Sequence, residues 1–192
     1  MSTQPPPTPQ AVLSAHGLLT LRGEISRENI HPLIDAILTH NLAGDVDALR
    51  LHLDSPGGSV DAGFALIDIM NWSRIPISTT AIGFVASMAL LVFMAGTKGQ
   101  RTVMPHCSLM SHRFAAMSAG NHADLLAARV QQDVLHQRIL DHYRDCTGAE
   151  SDALVEAELL RPTDRWLTPH EAVTLGIADR MWSPGIVEEG QA

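Results

Sequence analysis

The chain has 192 residues, the usual size of one domain, and 45% of them are hydrophobic, which is enough for a full core. Its 13 basic and 21 acidic residues give a formal net charge of −8, so no basic footprint for nucleic acid or an anionic membrane is expected. The two cysteines, Cys107 and Cys146, do not make a disulfide framework and favour a reduced compartment.

Neither a membrane-spanning helix nor a secretory signal is predicted. No apolar run reaches about 18 residues, and the N-terminus lacks a basic segment followed by an apolar one. We therefore expect a cytoplasmic protein with no membrane association.

Proline and polar residues mark both ends of the chain. Four prolines in the first ten residues predict a disordered tail over residues 1–12. A polar stretch punctuated by glycine and proline predicts a flexible tail over residues 183–192. A single folded domain is expected between them, over residues 13–182.

Short apolar runs alternate with helical patterns between the two tails. The runs that predict strands are, in chain order, Leu18–Leu21, Ala48–Leu53, Ile77–Ile82, Gln100–Val103 and Cys107–Met110. The segments that predict helices are 30–38, Val60–Trp72, Ser87–Ala95, Asn121–Cys146 and Thr168–Leu175. Ser87–Ala95 is apolar on all sides, which is typical of a buried helix. This alternation predicts an α/β fold with a mostly parallel sheet.

A glycine-rich turn follows the second predicted strand. In Asp54–Ser59 (DSPGGS), Pro56 fixes its own φ, while Gly57 and Gly58 permit a tight turn with exposed N–H groups. Such groups near a helix start can bind an oxyanion. The alternative is an ordinary turn between a strand and a helix.

A serine stands where the third predicted strand meets the buried helix. In Gly83–Met88 (GFVASM), Ser87 is the hydroxyl at that junction, and the N–H of Met88 lies beside it. A hydroxyl at a helix N-terminus in apolar surroundings suits a nucleophile. The alternative is a serine that caps the helix, which is common.

A histidine closes the fifth predicted strand, in Leu109–His112 (LMSH). Considered alone, such a histidine is more often structural, and the chain has ten. No HExxH motif and no Cys/His spacing typical of a metal site is present. Together, however, the three motifs follow the order oxyanion turn, nucleophile and base. Each lies at a strand end, where active sites on open sheets occur.

Four stretches resemble the proteolytic subunit of Clp proteases: LHLDSPGGSVDAG, GFVASMALLVFMAGTKGQR, PHCSLMSH and TDRWLTPHEAVTLGIAD. The resemblance extends from about Leu18 to Met181. It implies a ClpP/crotonase-type spiral of strand–strand–helix units with a long protruding handle helix, which would be Asn121–Cys146.

The resemblance also implies a serine endopeptidase with a catalytic triad. Ser87 would be the nucleophile, His112 the general base and Asp164 the group that orients His112. The backbone N–H groups of Gly58 and Met88 would form the oxyanion hole. No cofactor or metal is implied, and ATP would be used only by a separate partner.

The same resemblance implies heptameric rings that stack face to face into a fourteen-subunit barrel through the long helix. Peptides and unfolded proteins would be cleaved in the enclosed chamber, and an AAA+ unfoldase would feed it. The sequence departs from the family pattern in several places. Arg113-Phe114 replaces the usual Gln-Pro after the histidine, and the Pro-rich N-terminus replaces the segment that helps to dock the unfoldase. The resemblance therefore does not predict the cleavage preference.

Other interpretations stay open at this stage. They include an inactive subunit of a mixed ring and an acyl-CoA enzyme of the crotonase fold. A Ser–Lys dyad is disfavoured because Lys98, the one lysine, would lie about 16 Å along the helix from Ser87. Asp179 also lies in a stretch that resembles the family, but Asp164 stands just before the short helix, where the family carries its catalytic aspartate.

Overall fold

The computed structural model describes residues 8–184. Its helices are α1 (Pro9–Ala15), α2 (Arg27–Ala43), α3 (Val60–Trp72), α4 (Met88–Met94), α5 (His122–Thr147), α6 (Asp152–Glu158) and α7 (Pro169–Thr174). Its strands are β1 (Leu18–Arg22), β2 (Leu49–Ser55), β3 (Ile77–Ala86), β4 (Arg101–Val103), β5 (Ser108–Ser111), β6 (Arg165–Leu167) and β7 (Arg180–Met181).

The strands form one mixed sheet in which parallel pairing dominates. The main part has the order β1-β2-β3-β4-β7, and all of its pairs are parallel. The ten-residue strand β3 changes neighbour along its length: Thr79–Ala81 pair with β4, whereas Phe84–Ala86 pair with β5. Strand β6 joins the outer side of β5 in the antiparallel direction. The predicted α/β fold with a mostly parallel sheet is confirmed.

Helix α4 is the most deeply buried helix of the described chain. All seven of its residues are buried, because it is apolar on every side and has no face suited to water. The Thr79 hydroxyl on β3 donates to the Phe93 carbonyl at 2.8 Å. This burial fixes the position of the residue at which α4 begins.

The N-terminal tail is shorter than predicted. Residues 9–12, assigned to a disordered tail, instead belong to α1, where the Thr8 hydroxyl caps the Ala11 N–H and Pro9 occupies the first turn. The His40 ring bonds the Ser14 carbonyl at 2.9 Å and ties α1 to α2. The rest of the predicted tail, residues 1–7, and residues 185–192 of the C-terminal tail lie outside the described residues.

The long helix α5 matches its predicted span to within one residue at each end. Asn121 supplies a capping box, and Gly148 ends the helix in the left-handed conformation. Its first half exposes four apolar side chains, Leu125, Leu126, Val130 and Val134, at 44% to 64% of their surface. Within residues 8–184, no helix combines the length and apolar character needed to cross a membrane.

Candidate active site

Ser87 occupies a strained junction between β3 and α4. Its φ of 53° and ψ of −128° make it the one residue other than glycine with a positive φ in the described part of the chain. Such a conformation costs about 1–3 kcal/mol and persists where the surrounding structure imposes it. Its N–H donates to the Met110 carbonyl at 2.9 Å, and its side chain makes no capping bond to α4. The interpretation of Ser87 as a helix-capping serine is therefore wrong.

His112 faces the Ser87 hydroxyl directly. Its Nε2 lies 2.7 Å from Ser87 Oγ, within the range expected for a base that takes a proton from a hydroxyl. The contact follows from the branch in the sheet, since Ala86 at the end of β3 lies opposite Met110 on β5. The histidine side chain is 30% exposed, so a substrate can approach it.

Asp164 lies on the other side of the His112 ring. Its Oδ1 is 3.6 Å from Nδ1, and its side chain is 54% exposed. That separation suits an ion pair but exceeds a hydrogen bond. The next residue, Arg165, donates to Glu171 at 2.9 Å. Hydrogen bonds from the backbone and hydroxyl of Thr168, and then from Arg165, lower the pKa of Glu171 to about 2.

Asp179, the other acidic candidate, belongs to a different ion pair. Its two carboxylate oxygens accept from the Arg101 guanidinium at 2.6 and 3.0 Å, and the Arg101 side chain is 4% exposed. Burial opposes ionisation of Asp179, but the hydrogen bonds from Arg101 outweigh it and lower the pKa of this carboxyl. Asp179 therefore forms a nearly buried structural ion pair with Arg101.

The glycine turn after β2 packs against Ser87. A Cβ on Gly57 would lie 2.8 Å from Ser87 Cβ and 2.9 Å from the Met88 nitrogen. Two backbone bonds with Ile25 anchor the turn, one to the Gly57 carbonyl and one from the Ser59 N–H. Neither bond uses the Gly58 N–H. The structure therefore brings together the turn, Ser87, His112 and Asp164. Within residues 8–184, the site included, no group of three His, Cys, Asp or Glu could hold a metal ion.

Comparison with known proteins agrees with this arrangement. The family model described as Clp protease matches residues 8–184, which is nearly the whole chain. This chain belongs to the Clp protease family. The family consists of serine peptidases with the ClpP/crotonase-type fold. The predicted family, fold and enzyme class are therefore confirmed.

Three relatives from this family illustrate the range of similarity. The ATP-dependent Clp protease proteolytic subunit 2 of Nocardia farcinica is 36% identical over 70% of this chain, and the match spans 65% of that relative. The corresponding subunit 2 of Mycolicibacterium paratuberculosis is 31% identical over 88% of this chain and 83% of its own length. The proteolytic subunit of Pleurastrum terricola is 26% identical over 84% of this chain and 81% of its own.

The close approach of Gly57 to Ser87 predicts a specific effect for this Clp protease family member. A methyl group in Gly57→Ala would press on both Ser87 and the Met88 N–H, and displacements of about 1 Å near reacting groups cost roughly 100-fold in rate. We expect peptide turnover to fall by about that factor. The measurement is kcat on a fluorogenic peptide.

Gly23→Ala is the matched control for Gly57→Ala. Gly23 also has a positive φ, +74° against +93° for Gly57, but a Cβ at this position would meet no heavy atom within 4 Å. It should cost stability through backbone strain, about 1–2 kcal/mol, and leave turnover near that of the wild type. Equal losses of turnover in the two variants would show that strain alone, and not contact with Ser87, is responsible.

A buried hydroxyl pair beneath His112 was missed in the sequence. The Ser111 and Tyr143 hydroxyls lie 2.6 Å apart, and both residues are almost fully buried. Burial raises the pKa of Tyr143, so its hydroxyl keeps its proton. The pair ties the end of β5 to α5 and so holds the strand end that carries His112. The residues are 32 positions apart in sequence, and only the polar Ser111 at an inward position of an apolar strand hints at it.

Removing either hydroxyl of this pair should destabilise the protein. Ser111→Ala or Tyr143→Phe would leave one buried hydroxyl without a partner, which costs about 1–3 kcal/mol. The double variant removes both groups and should cost less than the sum of the two single changes. Chemical denaturation of the three variants measures this. Strictly additive costs would mean that the two hydroxyls do not interact.

Proposed function

We propose that the protein is a serine endopeptidase that cleaves peptides and unfolded proteins through an acyl-enzyme formed on Ser87. The observation that carries this proposal is the 2.7 Å approach of His112 Nε2 to Ser87 Oγ, at a serine held in a strained conformation. A capping or packing role would need neither feature. The contact also disfavours the acyl-CoA alternative, which has no need of a serine paired with a histidine.

The chemistry follows the acyl-transfer scheme of a Ser-His-Asp triad. His112 Nε2 takes the Ser87 proton as Oγ attacks the scissile carbonyl carbon, and the carbonyl oxygen becomes an oxyanion. The imidazolium then gives its proton to the leaving amine as the C–N bond breaks. A water molecule, deprotonated in turn by His112, attacks the acyl carbon, and His112 returns the proton to Ser87 Oγ as the ester bond breaks. Neither a metal nor a cofactor takes part in this scheme.

Asp164 and two backbone amides complete the proposed machinery. For Nε2 to accept the Ser87 proton, the ring must carry its own proton on Nδ1, which faces the Asp164 carboxylate. That carboxylate favours this tautomer and stabilises the imidazolium. The N–H groups of Gly58 and Met88 are the proposed oxyanion donors, and the packing of the glycine turn against the Met88 nitrogen supports this assignment.

We also propose that the chain assembles into heptameric rings stacked as a fourteen-subunit barrel. The exposed apolar residues on the first half of α5 support a subunit contact there. An AAA+ unfoldase would supply unfolded chains, since the relatives are named as subunits of ATP-dependent proteases and this sequence has no GxxxxGK[ST] motif. The cytoplasmic location stays a prediction.

Two measurements on one sample test this proposal. Native mass spectrometry should give a mass near fourteen subunits, and a short fluorogenic peptide should be hydrolysed without ATP while folded proteins resist. A monomer that hydrolyses peptides would contradict the chamber. Assembled rings without hydrolysis would favour the inactive subunit of a mixed ring.

A further inference from the structure

Three side chains form an apolar surface beside the proposed triad. Trp166 on β6 and Phe84 on β3 stack with ring centroids 5.8 Å apart and planes 20° apart. Met110 lies on β5 between their strands, opposite Trp166. Trp166 is 54% exposed, and the other two are half-buried. We refer to these three residues as the aromatic shelf.

The pairing of β5 with β6 puts the aromatic shelf on the same face as the triad. Ser111 lies opposite Arg165, so His112 and Asp164 are the next opposed pair, and their contact places both side chains on one face. Side chains alternate between faces along a strand. Ser111 therefore points the other way, into the core towards Tyr143, and the Met110–Trp166 pair returns to the face of His112.

The distance from the triad follows from strand geometry. Met110 is two residues from His112, a step of about 7 Å at the usual rise of a strand, and His112 contacts Ser87 directly. An extended peptide covers the same distance in about two residues. A substrate bound at Ser87 can therefore place a side chain on the aromatic shelf close to the scissile bond.

Polar contacts hold the backbone on either side of the aromatic shelf. The Phe84 N–H donates to Asp54 Oδ1 at 3.1 Å, and a Cβ on the adjacent Gly83 would lie 2.8 Å from the same oxygen. Trp166 sits in a strand whose flanking Arg165 is held by Glu171. An exposed aromatic surface next to a reactive centre suits the binding of an apolar side chain.

We propose that the aromatic shelf is a substrate subsite that binds one large apolar side chain, aromatic or aliphatic, about two residues from the scissile bond. This proposal rests on the proposed function, since it assumes that Ser87 attacks the peptide. It assigns a specificity role to Trp166 and Phe84, which take no part in the triad.

A set of matched peptides tests the aromatic shelf. Each peptide carries Phe, Leu, Ser or Arg at one of the three positions on either side of a single cleavage point, and kcat/KM is measured with mass-spectrometric mapping of the cut. The wild type should prefer Phe and Leu over Ser by about tenfold at one position two residues from the cut, which is the low end of discrimination by an apolar pocket. Trp166→Ala should reduce that ratio to about one, and Trp166→Phe should keep it.

Trp72→Ala is the control for loss of an exposed tryptophan. Trp72, at the end of α3, is 53% exposed, against 54% for Trp166, and its loss should leave the preference unchanged. The proposal fails if Trp166→Ala keeps the wild-type preference, if it lowers kcat/KM equally for all peptides, or if Arg is the preferred residue.

A binding measurement separates failure of the subsite from failure of the proposed function. In Ser87→Ala, which cannot form an acyl-enzyme, the Phe peptide should bind about tenfold tighter than the Ser peptide, and adding Trp166→Ala should remove the difference. Wild-type protein that cleaves nothing, combined with this binding difference, would overturn the peptidase and keep the subsite. Cleavage by Ser87 without the difference would overturn the subsite alone.

Discussion

Ser87→Ala should abolish peptide hydrolysis, with a loss on the scale of about 10⁶-fold in kcat, because members of a catalytic triad act as a unit. The reason is local: no other group stands 2.7 Å from His112 Nε2 in the described structure. A fluorophosphonate should label Ser87 rapidly, and peptide mapping by mass spectrometry should find the adduct on this residue only.

Ser108→Ala is a suitable control for Ser87→Ala. Ser108 is an exposed hydroxyl at the start of β5, and its removal should change neither hydrolysis nor labelling. A labelled serine other than Ser87, or undiminished hydrolysis by Ser87→Ala, would remove the basis of the peptidase proposal.

We expect Asp164→Asn to lose turnover and keep its stability, and Asp179→Asn to lose stability and keep its turnover. Asparagine at 164 removes the charge that favours the proton on His112 Nδ1, and turnover should fall by between about 10² and 10⁴-fold. The upper figure applies to a buried carboxylate, whereas Asp164 is 54% exposed and 3.6 Å from the ring. Stability should change little, because exposed ion pairs contribute about 0–1 kcal/mol.

Asparagine at 179 should instead leave the Arg101 charge nearly buried and without a counter-ion. Breaking one side of such a pair costs about 3–5 kcal/mol, which lowers Tm by roughly 6–20 °C for a domain of this size. Turnover per folded molecule should stay near that of the wild type. The measurements are kcat on a fluorogenic peptide and a thermal melt, with native mass to confirm assembly.

The two aspartate variants can contradict the assignment in two ways. Normal turnover in Asp164→Asn together with collapse in Asp179→Asn at a temperature where both are folded would reverse the roles. Normal turnover in both would leave a Ser–His dyad, in which His112 keeps its tautomer without a carboxylate.

The sequence predicted those parts of the site that depend on local chain geometry. Local sequence, within a few residues, specifies each of three features: the turn at Gly57, the junction at Ser87 and the strand end at His112. A parallel sheet then brings the ends of its strands to one edge. The predicted helix α4 and long helix α5 were confirmed for the same reason, since burial on all sides and end caps are local signals.

The features that the sequence missed depend on contacts between distant segments. The bond between Ser111 and Tyr143 joins a strand to a helix 32 residues later, and no local pattern specifies it. Residues 9–12, the first four residues of α1, were predicted as part of a tail because four prolines lie within the first ten residues, yet His40 on α2 holds α1 against the domain. The antiparallel β6, which sets the face of Trp166, is only three residues long and gives little periodic signal.

Because β3 changes neighbour along its length, the strands that carry the catalytic base and the main sheet should differ in thermal stability. The seven-residue β2 and the first half of β3 belong to the broad parallel sheet, whereas the base lies at the end of a narrow ribbon of the four-residue β5 and the three-residue β6. Short strands at a margin open with less free energy than the centre of a sheet. On warming, the ribbon should therefore melt first, and catalysis should be lost while the helices and the main sheet still give their full circular dichroism signal.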